Sequence, residues 1–342
     1  MRAWRSAPAL SIALLAPLLA PRPAGGQDPS PHRVRLIAVD GDVSLEVLDW
    51  GGSGRPVILL AGGGNTAHVF DGFAPKLTSH CHVYGITRRG FGASAYSTPE
   101  RPLDRLRDDV LAVIDALGVD RPVLVGHSIA GAELSGVATS YPDRIGGLIY
   151  LEAGYPYAFD NGKGPTMEQF QQIRGPQPPT PSGSSLASFS ALQKWHAEVY
   201  GFRTPEAELR QSWDSGSDGR PTKARASPGS PMFMAILTGA KRFTAIPVPT
   251  LAIFAIPHLR DRWIDRSTDP AVRQAGEAYF AAVDALSERQ AKALEAGVPT
   301  ARVVRLHGAH HVFLSNEREV IREMRAFLAR LRVFRHPSVL WR

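Results

Sequence analysis

Polar and apolar residues alternate through RVRLIAV (Arg33–Val39) and VSLEVLDW (Val43–Trp50), with Asp40, Gly41 and Asp42 between them. A period of two gives a strand one inward and one outward face, so the two runs predict a hairpin. RPVILLAGGG (Arg55–Gly64) differs: its apolar run is unbroken and closes on glycines. That is the pattern of a strand buried on both faces, and hence of a parallel sheet. HVYGITRRGFGAS (His82–Ser94) reads as a strand entering a glycine-rich loop, and Leu106, Val110, Val113 and Leu117 then recur at helical spacing until Gly118. RPVLVGHS is again strand, IAGAELSGVATSY helix and IGGLIYLEA strand. The βαβαβ order predicts an α/β fold: a mostly parallel sheet with helices on both faces.

The rhythm breaks from Gly154 to Ala245, where GPQPPTPSGSS and SGSDGRPTKARASPGSP flank a helical candidate at Ala191–Tyr200. Residues 154–245 are therefore expected to be an insertion, with the core split into 27–153 and 246–342. Strand character returns at VPTLAIFAI, followed by a long helix over 269–296, a strand ARVVRL, a loop HGAHHVFLSNE and an amphipathic helix over 317–331.

Composition narrows the class. A chain of 342 residues with 44% hydrophobic positions can bury a sizeable core. Residues 1–26 have Arg2 and Arg5, then an apolar run, then a Pro/Gly/Ala stretch, the layout of a signal peptide for export to the periplasm or beyond the cell. The run is too short and proline-broken to span a membrane, and the mature chain shows no other candidate span. Removing the segment takes away three arginines and no acid, so the formal charge of +7 falls to +4. Basic residues are scattered apart from an Arg-rich tail (Arg330, Arg332, Arg335, Arg342), which argues against a nucleic-acid partner. Cys81 is the only cysteine, excluding an internal disulfide and a cysteine-based metal site; within HCHVYGI it reads as a small buried hydrophobe.

In VLVGHSIAGAEL (Val123–Leu134), Ser128 lies between a predicted strand and helix, with Gly126 two residues before it and Ala130 two after. A plain helix cap needs no small neighbours, whereas a sharp strand-to-helix turn does. The context is that of a nucleophile elbow, which exposes the serine hydroxyl at the carboxyl end of the sheet. A serine needs a base. His310 and His311 follow the last predicted strand; spacing from Gly308 favours His311, spacing from Leu314 favours His310, and His311 is preferred. His127, His68 and His258 are further histidines that could line such a site. The base in turn needs a carboxylate. Glu152 ends an apolar strand and is preferred; Asp261, beyond TLAIFAI, is the alternative, more simply read as a solvated ion pair with Arg260 or Arg262. Backbone N–H groups of Ile129 and Gly63 are the expected oxyanion donors, since Gly62–Gly64 permit close backbone approach. Neither a metal site nor a phosphate loop is indicated.

Together these motifs resemble the α/β-hydrolase superfamily over Val34–Leu331. LLAGGGNTAHVF stands where that family has its oxyanion strand end, TRRGFGAS is similar to its Arg-Gly-x-Gly-x-Ser loop, GHSIAG to its elbow and GAHHVFL to its terminal histidine loop. The resemblance implies a helical cap at 154–245. There are two departures: Ala61 replaces the usual His, and no acid closely follows TLAIFAI. Haloalkane dehalogenases place the acid instead in a Tyr-x-Glu-Ala context, similar to YLEA here, which supports Glu152; Ser128 stands where they carry Asp, which argues against dehalogenation. The expected activity is that of an exported serine hydrolase, without a cofactor, cleaving a small ester, lactone or related acyl substrate. A carbon–carbon bond hydrolase, a cofactor-free haloperoxidase and a non-catalytic binding protein are the alternatives. The sequence leaves the substrate and oligomeric state open.

Overall fold

The computed structural model describes residues 32–97, 99–225, 230–238 and 241–331. The expected signal segment and the last three arginines of the tail lie outside them. The chain begins with β1 (Arg33–Asp40), β2 (Val43–Gly52), β3 (Arg55–Leu60), β4 (Cys81–Ile86), α1 (Pro102–Leu117), β5 (Val123–His127), α2 (Ala130–Ser140) and β6 (Gly147–Leu151). There follow α3 (Met167–Gln172), α4 (Phe189–Tyr200), α5 (Glu206–Ser212), a two-stranded hairpin β7 (Trp213–Ser215) and β8 (Pro221–Ala224), and α6 (Ser230–Leu237). The chain re-enters the sheet with β9 (Thr250–His258), then α7 (Arg262–Asp265), α8 (Pro270–Gly297), β10 (Ala301–Gly308), α9 (Val312–Ser315) and α10 (Glu317–Arg330).

Eight strands form one sheet in the order β1-β2-β4-β3-β5-β6-β9-β10. The alternating β1 and β2 form the expected antiparallel hairpin at one edge, with Ile37 opposite Leu45, and β2 runs antiparallel to β4. Every other pairing is parallel. The unbroken apolar runs are explained by cores on both sheet faces. Ile58, Leu60, Leu124 and Leu148 pack with Val110 and Val113 of α1 and Leu134 of α2. Val57, Leu59, Val125 and Ile149 pack on the other face with Val320, Met324 and Phe327 of α10. Cys81 is a buried member of that second cluster, and burial raises its thiol pKa, in keeping with a packing role.

Local stops fall where the side chains require them. Gly118 ends α1 at φ +63°, a left-handed conformation that only glycine adopts freely. Ser188 caps α4, accepting from Ala191 N–H at 3.0 Å. Among the described residues no helix is long and apolar enough to cross a membrane. The carboxyl ends of β3, β5, β6, β9 and β10 lie along one sheet edge, where open α/β sheets place their ligand sites.

Candidate active site

Ser128 sits directly after β5 with φ +52°, and α2 begins two residues later. Such a backbone is strained for a residue with a Cβ, and the surrounding contacts hold it there. Ser128 N–H donates to Leu151 O at 3.2 Å, and Gly131 N–H donates to Ser128 O at 2.9 Å. The tightness of this turn accounts for the small residues: a Cβ on Gly126 would lie 2.7 Å from Leu134 Cδ1, and one on Gly131 would lie 2.0 Å from Ala153 O.

One strand over, Glu152 follows β6, also at positive φ (+50°), and is wholly buried. Its Oε1 accepts from Ala255 N–H at 2.6 Å, and its Oε2 accepts from the Tyr155 hydroxyl at 2.5 Å. The same Oε2 meets His310 Nδ1 and His258 Nε2, each at 3.3 Å. Burial alone would raise the carboxyl pKa; the two histidines outweigh it and hold it down at about 2. His258 is itself clasped on the other side by Asp284, 2.6 Å from Nδ1, and although burial opposes its charge the two carboxylates raise its pKa.

The structure thus brings His310, and not the preferred His311, to Glu152. Leu314 and Ser315 N–H both donate to His311 O, starting α9 at once after it. His311 is turned instead toward Phe202, with ring centroids 5.2 Å apart, and its Nε2 lies 3.3 Å from Asn65 Oδ1. Burial, with the nearby His310 and His196, lowers its pKa to about 3, so it is neutral. Of the other histidines, His127 lies beneath the loop with Nε2 3.0 Å from His310 O, and His258 reaches Glu152 as described. His68 belongs to a separate cluster.

Gly62 and Gly63 approach Ser128 closely. A Cβ on Gly62 would lie 3.2 Å from Ser128 Cβ, and one on Gly63 2.6 Å from the Phe233 ring of α6. The N–H groups of Gly63 and Ile129 have no hydrogen-bond partner among the described residues. Arg88, which sequence reasoning passed over, fixes this loop: it donates to Ala61 O at 2.9 Å and Gly62 O at 3.4 Å. Glu133 of α2 holds the guanidinium through two bonds of 2.7 and 2.8 Å. Because a trans peptide points its C=O and N–H oppositely, anchoring Gly62 O to Arg88 turns Gly63 N–H away from the arginine. Two adjacent arginines after a buried strand and a glutamate inside an apolar helix were the available signals. Glu208 of α5 grips the same loop, accepting from Thr66 Oγ1 at 2.5 Å, Thr66 N–H at 3.2 Å and Asn65 Nδ2 at 3.0 Å. No local pattern announces that contact, which spans 142 positions.

Ser128 and His310 open into one cavity of about 390 Å³ walled by Tyr155, Tyr157, Phe170 and Phe280. The Tyr157 phenol faces the Ser128 hydroxyl. A second cavity of about 390 Å³ is lined by His310, His311, His196 and Phe202. Asp261 borders both, and the ion pair expected for it with Arg260 or Arg262 is not made among the described residues; Arg260 pairs with Asp265 at 3.0 Å. A larger cavity, about 670 Å³, lies at the amino ends of β3 and β4, remote from these residues. Among the described residues one group has ligand atoms close enough for a metal ion, His32, His68 and Asp71. Their contacts are those of an ion-pair cluster: Asp71 lies 2.8 Å from His32 and 3.2 Å from His68. Burial opposes charge on His68, but Asp71 and Glu46 raise its pKa to about 10.

The description that matches this chain is "Alpha/beta hydrolase family", over residues 57–323. A putative carbamate hydrolase, RutD, of Caulobacter segnis is 35% identical over 116 residues, which are 33% of this chain and 43% of that protein. The chain spans less than half the length of the curated relatives it matches. Among solved structures, E-2-(acetamidomethylene)succinate hydrolase aligns with a TM-score of 0.58 at 16% identity, covering 87% of this chain and 99% of that one. A serine hydrolase involved in carbazole degradation (CarC) aligns at 0.56 and 19% identity, covering 87% and 99%. At such identities the likeness is one of fold.

Proposed function

This chain belongs to the alpha/beta hydrolase family, and from that premise we propose that it is a serine hydrolase cleaving a small ester, lactone or related acyl substrate through an acyl-enzyme on Ser128. His310 takes the Ser128 proton as the hydroxyl oxygen attacks the carbonyl carbon, then returns it to the leaving oxygen. Glu152 orients the ring through Nδ1 and stabilises the imidazolium. Gly63 and Ile129 N–H donate to the oxyanion. Water, deprotonated by His310, then attacks the acyl-enzyme and releases the acid. The cap is residues 154–245, and Phe233 and Phe170 from it close over the nucleophile. The export expected from residues 1–26 is kept in this reading, with processing near Gly26 as its measurable sign.

The observation that carries the proposal is that Ser128, at positive φ between β5 and α2, opens into the same cavity as a histidine whose Nδ1 meets a buried carboxylate. His310 takes the role in place of His311 because that contact leaves its Nε2 to serve the serine, whereas the Nε2 of His311 is held by Asn65. A fluorophosphonate probe should label the protein once, and Ser128→Ala should abolish labelling and cut turnover on the order of 10⁴-fold or more with folding intact. Undiminished hydrolysis of a panel of short acyl esters and lactones by that variant would remove Ser128 from the mechanism.

A further inference from the structure

An acyl-transfer substrate has two arms, and two chambers meet at this site. The chamber holding Ser128 is bounded by His310 and Asp261, and so is the second, which does not contain Ser128. The base must hand its proton to the leaving oxygen, so the arm attached to that oxygen lies on the His310 side. The second chamber is the space available to it.

Apart from the base His310, charge in that chamber is one-sided. His196 is half-buried without a carboxylate, and that burial lowers its pKa to about 4; His311 is likewise neutral. Glu208 is saturated by Thr66 and Asn65. Asp261 has no cation within ion-pair distance among the described residues: Arg260 is taken by Asp265, and exposed Arg262 packs along Gly201. Aromatic side chains surround it. Tyr200 and Phe202 line the second chamber and Tyr279 and Phe280 the first, and the Asp261 carboxylate raises the pKa of both tyrosines, whose burial acts first in the same direction. A half-buried carboxylate calls for a counter-ion, and aromatic faces attract organic cations.

We propose that the second chamber receives a leaving group bearing an organic ammonium, with Asp261 as its counter-ion. This selectivity rests on the hydrolase reading above and adds no step to it; the ammonium leaves with the released alcohol.

The test compares 3-(trimethylammonio)propyl acetate with its uncharged isostere, 4,4-dimethylpentyl acetate. Wild-type kcat/KM should favour the charged ester by about tenfold, and Asp261→Asn should bring the ratio near one. A ratio near or below one in the wild type, or one that survives Asp261→Asn, overturns the proposal. Calorimetric titration of wild type and Asp261→Asn with the two product alcohols keeps the question separate from turnover. Tighter binding of the ammonium alcohol that is lost in the variant supports the subsite even where neither ester is cleaved, an outcome that would instead count against the hydrolase reading. Equal binding of the two alcohols overturns the subsite.

Discussion

Two buried glutamates hold the two halves of the site, and they differ in one respect. Glu152, at the end of β6, and Glu208, on α5, are each essentially inaccessible to solvent. Burial pushes both carboxyls up. Glu152 is answered by two imidazoles that can carry positive charge, and its pKa falls to about 2. Glu208 is answered mainly by neutral donors, the Thr66 hydroxyl and backbone and the Asn65 amide, and its pKa stays raised at about 7. Hydrogen bonds alone do not offset the cost of an ion in a low-dielectric interior; opposite charge does. One carboxylate is built to stay ionised beside a base, the other to secure a loop near its own titration point.

The largest break in this contrast is expected at the histidines. His310→Ala removes the imidazole that takes the Ser128 proton and meets Glu152 through Nδ1, and turnover should fall on the order of 10⁴-fold or more. His311→Ala should cost about tenfold or less, through loosening of Asn65. Equal losses in esterase assays of the two variants at matched folded fraction would erase the distinction. Glu152→Gln keeps the volume but removes the charge that steadies the imidazolium, and a loss of roughly 10²- to 10⁴-fold in kcat is expected. The same substitution at Glu208 should leave kcat within a few-fold and act on stability. For a carboxyl whose folded pKa is raised, the unfolded chain releases its proton first, so stability is full below the unfolded value and declines as pH rises toward the folded one. Relative to Glu208→Gln, the wild type should therefore lose on the order of 2 kcal/mol between about pH 4.5 and 7 in denaturant titrations. Glu152 works the other way: its contribution is present above the unfolded value and lost as pH falls toward 2. Parallel curves for Glu208→Gln and wild type would show that the cap glutamate does not titrate in this range.

What the sequence disclosed follows from the range of the forces involved. The elbow was legible because the steric demand at Gly126, Ser128 and Ala130 is local, and β3, β5 and β6 were legible because burial on both faces makes their central runs continuously apolar. The long helix expected at 269–296 is α8, one residue displaced. His310 and His311 could not be separated by counting, since the direction of each ring depends on where α9 begins, and that turn is set by packing of Val312 and Phe313 into the core. Asp261 was expected to meet an adjacent arginine; the single turn of α7 carries Asp265 round to Arg260 instead. Arg88 and Glu208 act across the fold on a glycine loop, and such contacts leave only faint traces in neighbouring residues.

The strands β6 and β9 lie side by side, Tyr150 opposite Ala252, although the whole run from Glu152 to Pro249 intervenes. Closing a loop costs entropy that grows with the logarithm of its length, about 0.6 kcal/mol per doubling. The cap can thus be lengthened, shortened or re-sculpted at small thermodynamic cost while the strand ends stay in register. Kinetics are less forgiving, because distant pairings form late. Ser128 and Glu152 rest on strands close together in the chain, whereas His310 is carried by β10, which joins the sheet through β9 across the long insertion. The base is therefore tied to the nucleophile only through the pairing of β9 and β10 with the rest of the sheet, so loosening those distal strands separates His310 from Ser128 while the Ser128 turn stays whole.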